Sequence, residues 1–271
     1  MIMPNFLVIG APKSGTTALY SYIKQHPQVF MSPVKEPQFF AFEGEKLKFQ
    51  GPKVQINSSI TDLESYQALF QGVKDEKAIG EASALYLGIP KAPERIAHYL
   101  PDVKMIAILR HPVDRAYASF MHLIRDGREP LTNFADALEA EEERIAQNWG
   151  FLWRYKQLGF YSEQLERYFN RFDRNQIRVY LYDDFCKCPL EMIQDIFQFL
   201  EINGNFVPDL SVRPNVSGRP RFNFVQDFIR KPNPIKNALK PLFPKTKKEY
   251  LTNKLANWNL NKPKLSLELK A

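Results

Sequence analysis

The chain has 271 residues, of which 44% are hydrophobic, 25% charged and 13% aromatic. This composition is typical of a globular protein and excludes a disordered, collagenous or coiled-coil chain. The net charge is +7, yet residues 230–271 hold eleven Lys and Arg against two Glu, so the first 229 residues carry a net charge of −2. Binding to nucleic acid would depend on the basic end alone, and we expect no nucleic-acid partner.

Further classes of protein are excluded by what the sequence lacks. No apolar run reaches the length of about 18 residues that a transmembrane helix needs. Residues 1–10 have neither a basic start nor a long apolar stretch, so no secretory signal is expected. Cys186 and Cys188 are too close together for a useful disulfide and too few for a zinc site. We therefore expect a cytoplasmic protein without a structural metal.

Short apolar segments alternate with segments of helical spacing. Strands are predicted over 6–9, 77–80, 103–109 and 177–182. Helices are predicted over 15–25, 113–125, 139–147, 161–172 and 189–200. The segment 103–109 is apolar on both faces, as a central parallel strand should be. The alternation predicts an α/β fold with a central parallel sheet flanked by helices on both faces.

The regular pattern decays after Pro208, where prolines recur and prevent long helices. We predict one domain over residues 1–229 and a basic C-terminal extension over 230–271 that packs on the same domain. Because lysines alternate with apolar residues in this extension, a peripheral membrane contact is the alternative role for it. The sequence does not indicate an oligomeric state.

The segment Gly10–Thr17 joins the first predicted strand to the first predicted helix. Its two glycines have the spacing of the phosphate-binding loop G-x-x-x-x-G-K-[ST], in which backbone N–H groups and a helix N-terminus hold phosphate. Thr16 stands where that motif has its lysine, and the basic residue is Lys13 inside the loop. The sheet is therefore predicted to be P-loop-like and to bind a phosphate-like anion, while a nucleotide kinase is disfavoured.

Longer segments carry a resemblance to a known family. Residues 6–40 read FLVIGAPKSGTTALYSYIKQHPQVFMSPVKEPQFF, and GEASALY, ILRHPVDRAYASF and VYLYDDF follow. Together they resemble sulfotransferases that use 3′-phosphoadenosine 5′-phosphosulfate (PAPS), over roughly residues 5–225. PKSGTTAL is similar to the 5′-phosphosulfate loop of that family, and KEPQFF to its branch of carbohydrate and many bacterial sulfotransferases.

The resemblance implies roles for the first loop and for one glutamate. Sulfuryl transfer resembles phosphoryl transfer, with catalysis mainly by positioning and charge stabilisation. Lys13 would neutralise the bridging oxygen as the sulfuryl group leaves, and Glu36 would be the general base for the acceptor hydroxyl. The residues implied for the 5′-phosphate are Ser14, Gly15, Thr16 and Thr17, together with Lys13. The resemblance implies no metal.

A second anion site is implied for the 3′-phosphate of the donor. Arg110 follows the strand 103–109 and would hold this phosphate if that strand neighbours the first one. The family has a serine eight residues later, but Ala118 occupies that place, so either Ser119 or another group is expected to substitute. A basic loop that closes over the 3′-phosphate is implied further along the chain, at Gly218, Arg219 and Arg221.

Other polar residues receive weaker assignments. Glu81 is a second acidic candidate, and Ala82 stands where the glycosaminoglycan branch often has lysine. Helix-end or surface positions are expected for the four histidines, His26, His98, His111 and His122.

The resulting hypothesis is a sulfotransferase that moves the sulfuryl group from PAPS to a hydroxyl of a small-molecule or glycan acceptor, with a carbohydrate or glycolipid favoured. Two alternatives stay open. One is a P-loop nucleotide kinase, and the other is a non-catalytic module that binds an anionic polymer or a membrane through the basic extension. The sequence does not indicate which acceptor is used.

Overall fold

The computed structural model describes residues 2–211, 219–220 and 260–261. Its centre is a five-stranded sheet in which every strand pair is parallel. The strands are β1 (Phe6–Gly10), β2 (Val29–Met31), β3 (Ala78–Ala82), β4 (Lys104–Leu109) and β5 (Ile177–Leu181). Their order across the sheet is β2-β3-β1-β4-β5. The first strand of the chain is therefore the middle strand of the sheet.

Helices connect the strands. They are α1 (Thr16–Ile23), α2 (Phe39–Phe42), α3 (Leu63–Ala68), α4 (Ala92–Tyr99), α5 (Pro112–Arg125), α6 (Phe134–Glu139), α7 (Glu141–Ala146), α8 (Tyr161–Phe169), α9 (Tyr182–Lys187) and α10 (Pro189–Phe199). Both α5 and α10 begin at a proline, whose fixed φ suits the first helical position. None of the helices within the described ranges is both long and apolar enough to cross a membrane.

Side chains of β1 alternate between two hydrophobic cores, one on each face of the sheet. Phe6 and Val8 pack in one core, which also contains Leu19 of α1 and Ile196 of α10. Leu7 and Ile9 belong to the other core, where residues of α2, α3, α4 and α8 pack. Because successive side chains of a strand point to opposite faces, a fully apolar β1 requires helices on both sides. The predicted α/β fold with a parallel sheet covered on both faces is confirmed.

The predicted elements differ from those observed in two ways. The sequence analysis predicts four strands, whereas the sheet has a fifth, β2, which is only three residues long and lies at an edge. The helix predicted over 139–147 corresponds to α7, whereas five short helices are not predicted, namely α2, α3, α4, α6 and α9. Both differences involve short elements whose limits depend on packing against neighbours more than on local periodicity.

The C-terminal part of the chain is described only in fragments. Residues Arg219–Pro220 (β6) pair antiparallel with Leu260–Asn261 (β7). Apart from residues 260–261, the predicted extension over 230–271 lies outside the described residues. Its packing and its membrane contact stay predictions.

The parallel register brings the carboxyl ends of β1 and β4 together. Val8 pairs with Ile106 and Gly10 with Ala107, across a register shift between the two pairs. The loop that follows β1 and the residue that follows β4 therefore lie at the same edge of the sheet. Ligands of open α/β sheets bind at this edge.

Candidate active site

The loop between β1 and α1 has a backbone that only certain residues adopt easily. Lys13 has φ 67° and Gly15 has φ 87°, both in the left-handed region. A Cβ atom on Gly15 would lie 3.1 Å from Cε2 of Tyr182 and 3.3 Å from Cε1 of Phe185. Gly15 is therefore required both by its backbone conformation and by the aromatic rings of α9 packed against it.

Helix α1 begins directly after this glycine. The first N–H groups of a helix have no acceptor within the helix and carry a partial positive charge. Gly15, Thr16 and Thr17 all line a cavity of about 820 Å³ at this edge of the sheet. Ser14 is also predicted to hold the anion, but its side chain is fully buried, and its N–H donates to the Ala11 carbonyl over 3.2 Å. The structure thus brings three of the four neighbours of Lys13 to the cavity and turns Ser14 inward.

Lys13 lines the same cavity and has an unusual acidity. Burial of the ammonium group, and then repulsion by Arg125, lower its pKa to about 8, against an attraction by Glu36 that raises it. A desolvated ammonium group interacts more strongly with an anion than a solvated one does. The ammonium group of Lys13 is therefore suited to bind an anion.

Arg110 is adjacent to this loop, as the parallel pairing of β1 and β4 requires. Its Nη1 donates to the carbonyl oxygen of Lys13 over 3.2 Å. Its guanidinium carbon lies 4.8 Å from the ring centroid of Tyr182. The condition on which its role as an anion ligand depends, that β1 and β4 are neighbours, is met, and Arg110 lines the cavity.

Glu36 lies in the loop before α2 and reaches the same cavity. Its Oε1 accepts from Lys35 Nζ over 2.8 Å, and its Oε2 accepts from Gln38 Nε2 over 3.0 Å. The side chain is 38% exposed. Two donors hold the carboxylate, and the remaining exposure gives it access to a ligand. Glu36 and Lys13 thus share one cavity.

Ser119 does not reach the cavity. It is fully buried in α5, and its hydroxyl donates to the carbonyl of Leu152 over 3.0 Å. The helix turns this side chain toward Leu152, so the structure does not place it beside Arg110. Gly218 and Arg221 lie outside the described residues, and Arg219 is described only as part of β6.

His122 lies in the last turn of α5, as expected of a helix-end histidine, and it also lines the cavity. Burial, and then the positive charge of Lys13, lower its pKa to about 3, so the ring is neutral at ordinary pH. Its Nδ1 lies 2.7 Å from Arg125 Nη2. Its other ring nitrogen, Nε2, lies 3.8 Å from Asp126 Oδ2, so both nitrogens of the neutral ring face side chains of α5 and its C-cap.

Several further lining residues were not singled out by the sequence analysis: Gln38, Gln55, Arg128, Phe151 and Trp153. Gln38 lies in the KEPQFF segment, so its proximity to Glu36 is a signal that the sequence does carry. The others come from segments without a recognisable motif. Arg128 packs over Trp153, with its guanidinium carbon 5.2 Å from the ring centroid, and its Nη1 lies 3.4 Å from Gln55 Oε1.

Comparison with known proteins identifies the arrangement. A family model described as "Sulfotransferase family" matches residues 4–205, about three quarters of the chain. The chain belongs to the sulfotransferase family. The matched range includes Lys13, Glu36 and Arg110, whereas Gly218, Arg219 and Arg221 lie beyond it.

Individual relatives agree with the family. A crystal structure of a sulfotransferase from Alicyclobacillus acidocaldarius is 38% identical, with a TM-score of 0.74, and the match covers 84% of this chain and 91% of that one. A sulfotransferase domain from the curacin biosynthetic pathway shares the fold at 15% identity and a TM-score of 0.53, over 77% of each chain.

Two curated relatives are longer proteins. The membrane-associated sulfotransferase kil1 of Dictyostelium discoideum is 23% identical over 86% of this chain, and bifunctional heparan sulfate N-deacetylase/N-sulfotransferase 4 of Mus musculus is 27% identical over 75% of it. The chain spans 64% of the length of the Dictyostelium sulfotransferase and 23% of the mouse protein.

Proposed function

We propose that this protein transfers the sulfuryl group of PAPS to a hydroxyl of a carbohydrate or glycolipid acceptor. The observation that carries the proposal is the shared cavity, in which Lys13, the start of α1 and Arg110 provide positive charge and Glu36 provides a carboxylate. Membership of the sulfotransferase family supports the reaction class. The names of the heparan sulfate relatives support an acceptor of the carbohydrate class.

The residues present suit a donor with two anionic ends. The N–H groups at the start of α1, with Thr16 and Thr17, suit the 5′-phosphosulfate. Arg110, whose fork-shaped guanidinium matches phosphate geometry, suits the 3′-phosphate. PAPS supplies an activated sulfuryl group on a good leaving group. The protein supplies the electrostatic environment and the base.

The proposed reaction transfers one proton to Glu36 and one sulfuryl group to the acceptor. Glu36 accepts the proton of the acceptor hydroxyl as the acceptor oxygen forms its bond to sulfur. The bond between sulfur and the bridging phosphate oxygen breaks, and Lys13 stabilises the negative charge that develops on that oxygen. Adenosine 3′,5′-bisphosphate and the sulfated acceptor are the products.

A second group of lining residues suits a hydroxyl-rich acceptor. Gln55 offers a polar group and Phe151 an aromatic ring to the cavity, and Arg128 and Trp153, which are 4% and 1% exposed, contribute to its wall. Sites for small ligands combine apolar and aromatic walls with a few polar groups that fix orientation. This combination supports a sugar acceptor.

The donor assignment is tested by calorimetric titration with adenosine 3′,5′-bisphosphate, with ADP as the comparison nucleotide. We expect the bisphosphate to bind more tightly than ADP, and Arg110→Ala to weaken its binding by about 10- to 100-fold, as loss of a charged hydrogen bond does. Arg174→Ala is the matched control, because Arg174 is exposed and packs over Phe169. A preference for ADP, or an Arg110→Ala variant that binds like wild type, would contradict the assignment and favour a kinase.

The base is tested separately by Glu36→Gln. We expect sulfate transfer from PAPS to a panel of oligosaccharides to fall by about 100-fold or more, while affinity for adenosine 3′,5′-bisphosphate stays within about twofold. Glu64→Gln, at an exposed position of α3, is the control. Wild-type protein that binds the bisphosphate but sulfates no acceptor, with Glu36→Gln indistinguishable from it, would favour a non-catalytic binding module.

A further inference from the structure

Glu81 is a carboxylate buried in an uncommon way. It lies at the end of β3 with no exposed surface. Its hydrogen-bond partners are hydroxyl groups: Ser83 Oγ donates to Oε2 over 2.9 Å, Tyr66 Oη lies 3.4 Å from Oε1, and the Tyr86 hydroxyl is the third partner. A buried carboxylate that is held by hydroxyls instead of a cation is costly for the fold. Such a cost suggests a role that an apolar residue could not fill.

Hydrogen bonds lead from this carboxylate to the proposed base. Ser83 Oγ accepts from the backbone N–H of Gln38 over 3.1 Å. The side chain of Gln38 in turn donates from Nε2 to Glu36 Oε2 over 3.0 Å. Glu81, Ser83, Gln38 and Glu36 thus form one continuous chain of contacts. It runs from the buried end of β3 into the cavity.

The backbone around Glu36 and Gln38 is also held by the end of β3. Gln38 has φ 63° and Glu36 has φ 65°, so both residues occupy the left-handed region that disfavours their side chains. The N–H of Glu36 donates to the carbonyl of Ala82 over 2.9 Å, and the N–H of Ser83 donates to the carbonyl of Val8 over 3.1 Å. Strained backbone of this kind persists only where the surroundings fix it. The end of β3 supplies that constraint for both Glu36 and Gln38.

We propose that Glu81 is a positioning residue for Glu36, acting through Ser83 and Gln38. The inference rests on the proposed function, because it takes Glu36 as the base. Glu81 is buried beneath the site and touches no reacting atom. Its task is to fix the orientation of the two residues that hold the base.

The physical reason lies in the direction of the hydrogen bonds. Above pH 7, where Glu81 is ionised, its carboxylate only accepts, so Ser83 donates its proton to Glu81 and keeps a lone pair for the N–H of Gln38. An amide at position 81 has nearly the same shape but presents an NH₂ group that can donate to Ser83. The Ser83 proton is then released to other acceptors, and the contact to Gln38 loses its fixed geometry. Glu81→Gln therefore changes the direction of the hydrogen bonds while it leaves the packing volume in place.

The first arm of the test measures turnover at pH 8, where Glu81 is ionised. In Glu81→Gln we expect kcat to fall by about tenfold or more, since misplacement of a reacting group by about 1 Å costs up to about 100-fold. The KM for PAPS and the Kd for adenosine 3′,5′-bisphosphate should stay within about twofold of wild type. Ser83→Ala should lower kcat by a similar factor, and the double variant should lose no more than the more damaged single variant, as members of one network do. Tyr66→Phe is the control, because it removes the contact to the other carboxylate oxygen and leaves Ser83 and Gln38 untouched.

The second arm needs no acceptor. Hydrogen exchange of the Gln38 backbone amide, followed by NMR, should be at least about tenfold faster in Glu81→Gln than in wild type, while the Ser32 amide, which donates to Gly80, should be unchanged. If wild type sulfates no acceptor, the proposed function fails, and this exchange rate alone decides whether Glu81 holds Gln38.

Three results would overturn the proposal. One is an unchanged kcat and an unchanged Gln38 exchange rate in Glu81→Gln. Another is a fall in kcat accompanied by equal weakening of bisphosphate binding and a lower unfolding midpoint, which a merely structural residue would produce. The third is additive losses in the double variant.

Discussion

Arg110 Nη1 donates a hydrogen bond to the carbonyl oxygen of Lys13 over 3.2 Å, across 97 residues of sequence. The bond ties the end of β4 to the loop that follows β1. It is possible because β1 and β4 are adjacent parallel strands. The sheet therefore places Arg110 beside the backbone of Lys13, the other cation assigned to the donor.

The acidity of Lys13 predicts how donor binding depends on pH. Its pKa of about 8 means that the cation is lost as pH rises through 8. An anionic ligand binds the protonated form, so we expect the Kd for adenosine 3′,5′-bisphosphate to increase by up to about tenfold per pH unit above that value. Calorimetric titration between pH 7 and 10, in about 0.1 M salt, measures this slope.

Lys13→Met should bind weakly at every pH and lack the slope. Lys91→Met should keep it, because Lys91 is an exposed cation paired with Glu45 outside the cavity. A slope retained in Lys13→Met would assign the titration to another group.

Gly15→Ala should weaken both the fold and donor binding. Alanine at this position must adopt φ 87°, and its Cβ would lie 3.1 Å from Cε2 of Tyr182. We expect the free energy of unfolding to fall by about 1–2 kcal/mol, and affinity for adenosine 3′,5′-bisphosphate to fall by about tenfold because the start of α1 shifts. Urea denaturation and calorimetry measure the two effects.

Gly44→Ala separates backbone strain from crowding. Gly44 has φ 70°, but a Cβ there meets nothing within 4 Å. It should lose a similar amount of stability and keep its donor affinity. If Gly15→Ala also keeps donor affinity, the loop has no part in binding.

Ser119→Ala should leave donor binding unchanged. The Ser119 hydroxyl is buried and donates to the Leu152 carbonyl, so its removal leaves that carbonyl unsatisfied. We expect the free energy of unfolding to fall by about 1–2 kcal/mol, with affinity for adenosine 3′,5′-bisphosphate within about twofold of wild type. A tenfold loss of affinity without loss of stability would restore Ser119 as the ligand of the 3′-phosphate.

Glu81 predicts a pH dependence of stability. Burial raises the pKa of Glu81 from 4.5 to about 7, and the negative charge of Glu36 adds to this rise. Hydrogen bonds from Tyr86, Ser83 and Tyr66 act in the opposite direction. Tyr168 also faces this carboxylate. Between pH 4.5 and 7 the folded state holds a proton that the unfolded state has lost, so this contribution to stability falls as pH rises.

By pH 8 the titration of Glu81 has lowered the free energy of unfolding by about 3 kcal/mol in total. Glu81→Gln removes the titration, so its free energy of unfolding should gain on wild type by up to that amount as pH rises from 5 to 8. Urea denaturation at several pH values measures the difference between the two proteins. A difference independent of pH would show that Glu81 is ionised throughout this range.

Local features of the site could be predicted from the sequence because they depend on neighbouring residues. The Gly10–Thr17 loop, the strand before it and the helix after it are fixed by glycine spacing and by an apolar run. The strand ending before Arg110 is fixed in the same way. Glu36 is recognisable from the KEPQFF segment that contains it.

Other features required the tertiary structure because they depend on which face of an element is buried. Ser119 and His122 lie on the same helix, α5, yet one turns inward to Leu152 and the other lines the cavity. Arg128 and Trp153 carry no motif, and only packing brings them to the cavity that Lys13 also lines. β2 is three residues long, and its pairing with β3 defines it more than its sequence does.

By itself the sequence determined the class of fold and the anion-binding loop, since backbone sterics and side-chain periodicity act over a few residues. Glu36 became the candidate base through the resemblance of its segment to sulfotransferases. The tertiary structure alone decided that β1 and β4 are neighbours, that Arg110 meets Lys13, and that Glu81 reaches Glu36 through Ser83 and Gln38. These contacts join segments that are distant in the sequence. The free energy that brings the segments together comes from burying the two cores on either side of the sheet, which no local pattern encodes.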